Sequence, residues 1–227
     1  MLTNSLKIKM GKEINLMAKY PKTKRDTKHR VLNKTEEDIN LARKFGKEFF
    51  DGDRSHGYGG FNYNPKYWSE VVKDFTNYYD LNSNSRILDV GCAKGFLVYD
   101  LTNYLKSQNI YGIDISSYAI ENCKSEIKKN VFTGQAHKIN FPDKFFDLVI
   151  SITTLHNYEI DGVKDCLKEI NRISKKAFIT VDAYSNDEEK EAMYNWNLTA
   201  KTILHKDEWK QIFQECNFIG DYYWFMP

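Results

Sequence analysis

The 227-residue chain has only four cysteines, Cys92, Cys123, Cys166 and Cys216, set far apart, with no CxxC pair and no histidine nearby at ligand spacing. That pattern excludes a disulfide framework and a zinc site, so these residues read as reduced thiols and no metal is expected. No apolar run approaches the roughly 18 residues of a membrane-spanning helix, and the lysine-dotted start lacks the apolar stretch of a signal peptide. The expectation is a cytoplasmic protein without a membrane span. Internal repeats and low-complexity tracts are also missing. What is there, 41% hydrophobic and 28% charged residues with a mean hydropathy of −0.61, suits one globular domain with an appendage rather than two full-sized domains.

Charge is unevenly spread. Residues 1–34 carry ten Lys/Arg and two acids, a net +8, and the rest of the chain is −6. The reading is a basic arm over 1–34 and a domain over 35–227 that includes N-terminal cap helices and a loop at 51–64. Such an arm attracts phosphate without regard to sequence, but no aromatic or Arg-rich recognition pattern accompanies the lysines, which favours a solvated terminus.

Thr35 before an acidic first turn, with Ile39, Leu41, Phe45 and Phe49 at helical spacing, predicts one helix over 35–50. DGDRSHGYGGFNYN (51–64) is irregular, and Asn64-Pro65 is expected to open a second helix. From residue 86 short β-branched runs alternate with helical patterns: RILDV, FLVYDLTNYL, IYGID, SYAIENCKSEIKK, VFTG, FFDLVIS, GVKDCLKEINRIS and AFITVD. This predicts an α/β fold with a doubly wound, mostly parallel sheet. At the tail, HKDEWKQIFQEC reads as a helix with His205 at its start, and FIGDYYWFM, split by Gly220-Asp221, as a hairpin. The total is seven strands with an antiparallel member in the last pair.

In an open parallel sheet a ligand sits beyond the carboxyl ends of the strands, here at ILDVGCAKGF (87–96). A dinucleotide fingerprint needs a third glycine where Phe96 stands, and Asp89 would repel a pyrophosphate. An acid there suits a ligand with an ammonium group and a cationic sulfur. Nineteen residues past Gly95, Asp114 ends the second strand, where a carboxylate can accept ribose hydroxyls.

These motifs resemble the class I S-adenosylmethionine-dependent methyltransferases, a Rossmann-like family, over about residues 65–227. The resemblance implies S-adenosylmethionine as cofactor, S-adenosylhomocysteine as product, and a loop of Asp89, Gly91, Cys92, Ala93 and Gly95. It implies that Asp114 and Ile115 hold and cover the ribose. The stretch GQAHKINFPDKFFDLVIS (134–151) is similar to the family's GDAxxLPFPDxSFDLVIS, which carries Gln135, Ala136 and Ser151 over as cofactor-binding. Gln135 replaces the usual acid, and Ala93 the usual central glycine. His156, after the fourth strand, is the candidate catalytic base; a histidine packed under the next helix is the alternative.

Relatives carry a lid where the 51–64 loop lies, so Arg54, His56, Tyr58 and Tyr63 are candidate acceptor-binding residues, with Tyr184 and Trp196 as the opposite wall. Arg54 and His56 suit an anionic acceptor and the rings a carbohydrate face. The expected activity is methylation of a small polar acceptor, at an oxygen of a sugar, nucleotide-sugar or phosphorylated metabolite. An RNA- or protein-directed enzyme gripping through the basic arm is the alternative. The missing Asn/Asp-Pro-Pro-Tyr run argues against a nucleic-acid base as acceptor, and no carboxylate at Ser151–Thr154 suggests a magnesium site.

Overall fold

The computed structural model describes residues 11–22 and 27–226. Residues 1–10 and 23–26 of the basic arm lie outside the described residues.

The strands β1 (Ile87–Val90), β2 (Ile110–Asp114), β3 (Val131–Thr133), β4 (Phe146–Ile152), β5 (Ser174–Tyr184), β6 (Leu204–His205) and β7 (Asp221–Phe225) form a seven-stranded sheet. Its order is β3-β2-β1-β4-β5-β6, with β7 also paired to β5. Every described strand pair is parallel. Continuously apolar runs such as ILDV, buried at all four positions, are what a sheet covered on both faces requires.

One face is covered by α4 (Val71–Tyr79) and α5 (Phe96–Leu105), through Val72, Phe75, Leu97, Val98 and Leu101. The other is covered by α7 (Ile160–Ile173) and α9 (Lys206–Glu215). Helix α7 places Val163, Cys166, Leu167, Ile170 and Ile173 on one stripe, all buried, the spacing of an amphipathic helix. Trp209 of α9 is fully buried and its indole N–H donates to the Asp182 carbonyl at 2.9 Å, anchoring α9 to the end of β5. The remaining helices are α1 (Thr27–Asn33), α2 (Glu36–Ala42), α3 (Lys47–Asp51), α6 (Ser117–Glu121) and α8 (Asp187–Trp196).

Four local expectations are corrected. The helix expected over 35–50 is two: Thr35 caps α2 in a capping box with Asp38, but Phe45 adopts φ +49° and Gly46 caps α3. The Phe45 carbonyl accepts from the Ser116 hydroxyl at 2.5 Å, so a tertiary contact holds the break. Turns occupy 65–70, and the helix expected from Pro65 begins at Val71. The expected helix after Ser117 ends at Glu121 and resumes as a 3₁₀ turn over Ser125–Asn130. Finally, the tail is not a hairpin and contributes no antiparallel strand. A Cβ on Gly220 would lie 2.4 Å from the Phe218 ring and 2.8 Å from Ala177, so the chain there is pressed against the core and continues into the single parallel strand β7. His205 does start α9, with its ring accepting from the Asp207 amide.

Residues 11–20, inside the basic arm as charge delimits it, are built into the fold. Ile14 N–H donates to Tyr222 O and Tyr222 N–H to Lys12 O, both at 3.0 Å, along the outer edge of β7. Leu16, 6% exposed, joins the core under α4 and α5.

Candidate functional site

At the carboxyl end of β1 the backbone turns through Gly91 (φ +82°), Ala93 (φ +50°) and Gly95 (φ +72°). Gly91 N–H and Cys92 N–H both reach the Ile113 carbonyl, at 2.8 and 3.1 Å, which fastens the loop to β2. Ala93 is strained in the left-handed region, and Gly95 caps α5 in that conformation without a side-chain bond. Cys92 is buried, and its sulfur packs where a Cβ on Gly112 would stand. Burial pushes its thiol well up, so it fills space rather than reacting.

Asp89 is 4% exposed, and no described residue donates a hydrogen bond to its carboxylate. Burial, and then the charge of Asp114, push it up to about 8. Asp114 is raised by burial but eased by two amides, Ala93 N–H at 2.7 Å and Ser116 N–H at 2.8 Å. Each of its oxygens keeps a further lone pair. Ile115 beside it is half exposed. Gln135 is exposed, Ala136 is buried, and the Ala136 amide reaches the Tyr158 hydroxyl at 3.4 Å. These residues gather at the ends of β1, β2 and β3. Ser151 does not join them: it is fully buried and donates its hydroxyl to Val90 O at 2.9 Å, tying β4 to β1.

His156 is 3% exposed and faces inward. Its Nδ1 accepts from Asp182 N–H at 3.1 Å and lies 3.3 Å from Asp182 Oδ1. Asp182 Oδ2 accepts from Asn197 Nδ2, and Lys201 and Thr202 amides donate to the His156 carbonyl. Burial lowers the ring pKa to about 3, so the imidazole is neutral at physiological pH with its basic nitrogen already engaged. The arrangement is that of a positioning residue tying β4, β5 and the 197–202 segment together. Its folded pKa lies below the unfolded 6.5, so the stability it contributes is present above pH 6.5 and lost as pH falls toward 3. His156→Gln is therefore expected to flatten the pH dependence of urea-unfolding stability between pH 6.5 and 4, where the parent loses up to about 1.4 kcal/mol per pH unit. A parent and variant with the same acid slope would show that His156 is not the source.

The cap segment lies across the carboxyl edge of the sheet. Arg43 donates to Ala200 O at 3.2 Å, and, two residues on, Ser116 holds the Phe45 carbonyl. Further along, Asp51 accepts two bonds from Lys94, at 2.7 and 2.8 Å, one from Tyr118 OH at 2.6 Å and one from Phe61 N–H at 3.0 Å. Burial alone would raise Asp51; those donors outweigh it and hold the carboxylate low. Lys94 stands inside the glycine loop yet is 6% exposed. This clasp of Asp51, Lys94 and Tyr118 was not visible in the sequence, because its partners are 43 and 67 positions apart.

The loop residues expected to meet an acceptor are engaged within the cap. Arg54 donates to Gly57 O and sits 5.5 Å from the Trp196 ring, which Arg30 also approaches at 4.7 Å. His56 lies between Asp38 and Glu48, at 3.3 and 3.6 Å. Tyr58 packs on Phe49, Phe50 and Phe61, and Tyr63 donates its hydroxyl to Asp100 at 2.5 Å. Tyr184 meets His205 edge-on and Lys190. Among the described residues no group of three or more His, Cys, Asp or Glu is placed to hold a metal, and no helix is long and apolar enough to cross a membrane.

Comparison with known proteins agrees with this architecture. A protein of Bacillus subtilis (strain 168) named as a candidate methyltransferase, YrhH, is 28% identical over 119 residues, covering 49% of this chain and 65% of that protein. An uncharacterized protein of Haemophilus influenzae is 27% identical over 150 residues, covering 60% of this chain and 59% of its own length. The chain thus spans less than two thirds of these curated relatives. Among solved structures, a SAM dependent methyltransferase from Archaeoglobus fulgidus superposes with a TM-score of 0.52 at 19% identity, covering 75% of this chain and 71% of that one. At such identity the likeness concerns the fold alone. The family model described as a methyltransferase domain matches residues 81–217, more than half of the chain and all of the sheet from β1 to β6, and the protein belongs to that methyltransferase family.

Proposed function

We propose that the chain transfers a methyl group from S-adenosylmethionine to a small polar acceptor. The observation that carries the reading is Asp89: a buried carboxylate without a hydrogen-bond donor, beside a second acid, at the sheet's carboxyl edge. Such a group is costly unless a cation completes it, and the ammonium of the cofactor's amino-acid end supplies that charge. Asp114 offers its remaining lone pairs to the ribose hydroxyls, Ile115 covers the nucleoside, and Gln135 with Ala136 stands at the adenine edge. The glycine loop brings backbone against the amino-acid portion. When bound, the cofactor supplies a methyl on a sulfonium, already a good leaving group; the protein's part is alignment and exclusion of water. The cap, clasped to the loop through Lys94 and Asp51, serves the second task.

His156 serves as a structural tie rather than as the base. Tyr63 is bonded to Asp100 and Tyr58 packs against Phe49 and Phe61, so the acceptor is small and polar without a carbohydrate face being specified. Titration calorimetry of the full chain tests the proposal: saturable binding of S-adenosylhomocysteine and none of NAD is expected. Binding of the dinucleotide instead would replace methyl transfer by hydride transfer.

A further inference from the structure

A cavity of about 340 Å³ lies between α2, the end of α8 and residues 197–203. Its walls carry three cations, Lys34, Arg43 and Lys201, against one acid, Glu159. The amine of Lys34 is spent on the last carbonyls of α8 and its exit, donating to Tyr194 O and Asn197 O at 2.7 and 3.0 Å. It lends the cavity charge but no free donor, and burial, then Arg30, lower its pKa. Arg43 uses one guanidinium N–H on Ala200 O and keeps the others. Among the described residues the Lys201 amine has a 3.9 Å pair with the exposed Glu159 and no closer acid. The rest of the lining is Ile39, Tyr194, Leu198, Ala200 and Ile203, with the amide of Asn197. The floor is joined to the ends of β4 and β5: Asn197 bonds Asp182, and Lys201 N–H bonds the His156 carbonyl.

A concavity with a cationic rim and apolar walls selects a small organic anion, because charge-assisted bonds act at the head while the body leaves water. We infer that this cavity receives the anionic end, carboxylate or phosphate monoester, of a small metabolite with an apolar body. The inference rests on the proposed methyl transfer and names the acceptor's class: the cap and the 197–203 segment hold it beside the ends of β4 and β5. It also moves anion recognition from Arg54 and His56, which the cap engages, to Arg43 and Lys201.

The test is titration of the full chain with benzoate, phenyl phosphate and neutral benzamide, in the parent and in Arg43→Gln/Lys201→Gln. At least one anion is expected to bind saturably and about 10-fold or more tighter than benzamide, and the double variant to lose about 10-fold in that anion's affinity. S-Adenosylhomocysteine affinity should stay within about 2-fold, since neither residue belongs to the cofactor loop. Preference for benzoate assigns a carboxylate and preference for phenyl phosphate a phosphate ester. Benzamide binding as tightly as both anions, no saturable anion binding, or a double variant equal to the parent would each overturn the inference. A parent that binds anions but not S-adenosylhomocysteine would remove the methyl-transfer proposal and leave the anion site standing.

Discussion

Asp89→Asn is expected to weaken S-adenosylhomocysteine binding by about 100-fold or more while making the ligand-free protein more stable at alkaline pH. The two effects have one origin. Breaking a buried charge pair by removing one partner costs about 3 kcal/mol or more, equivalent to that loss of affinity. Without ligand, the carboxylate is an uncompensated buried charge raised from 3.8 to about 8. Because the folded value lies above the unfolded one, the native state holds its proton more tightly. The group's contribution is therefore full below about pH 4, declines as pH rises, and is gone above about 8. Integrated, the difference is at most about 6 kcal/mol, an upper bound because the native state can relax around the charge. Urea unfolding at pH 5 and pH 9 should show the parent losing stability and the Asn variant holding level. At pH 7 most of the parent's Asp89 is protonated, so ligand binding should expel close to one proton, seen as calorimetric enthalpies that vary with buffer ionisation heat. Equal affinities for parent and variant, or buffer-independent heats, would mean that Asp89 does not face the ligand.

Gly91→Ala is expected to destabilise the fold and abolish cofactor binding with a single added methyl. A Cβ there would stand 2.0 Å from Thr154 Oγ1 and 2.7 Å from Thr154 Cβ, and Gly91 is in the left-handed region. The end of β4 is itself constrained, since Thr153 has φ +49° and its N–H donates to Thr180 O and Oγ1, so it cannot simply retreat. Overpacking and backbone strain together predict a loss of about 2–4 kcal/mol and no detectable S-adenosylhomocysteine binding. Adding Thr154→Gly should restore part of the stability by opening the space, leaving the backbone penalty of about 1 kcal/mol. Thermal unfolding of the single and double variants measures this. A double variant no more stable than the single would show that contact with Thr154 is not the cause.

What was legible in the sequence followed short-range physics. The β–α alternation from residue 86 shows as a change of apolar period, and the bend at 91–95 shows because glycines and a strand-end acid are adjacent. Phe45 was hidden because its apolar spacing continues straight across Gly46, while the break is held by Ser116, 71 positions away. The direction of β7 was hidden for the same reason: Gly220-Asp221 has turn chemistry, and only packing against Ala177 and pairing to β5 decide otherwise. His156 could be read as core or as base, and the difference lies in Asp182 and Asn197, which no local pattern links to it. Lys94 carries no local signal of its role, because its partner Asp51 is 43 positions away.

The contact of Ile14 and Lys12 with Tyr222 has a practical meaning. Residues 12–14 occupy the one flank of β7 that β5 does not use, and Leu16 plugs the apolar ground beside it. A version trimmed to begin at the charge boundary would bare a row of backbone donors and acceptors next to a greasy hollow, a template for chain-to-chain pairing. The lysine-rich segment, dispensable by its composition, is through residues 12–16 the selvedge that keeps the sheet from fraying into its neighbours.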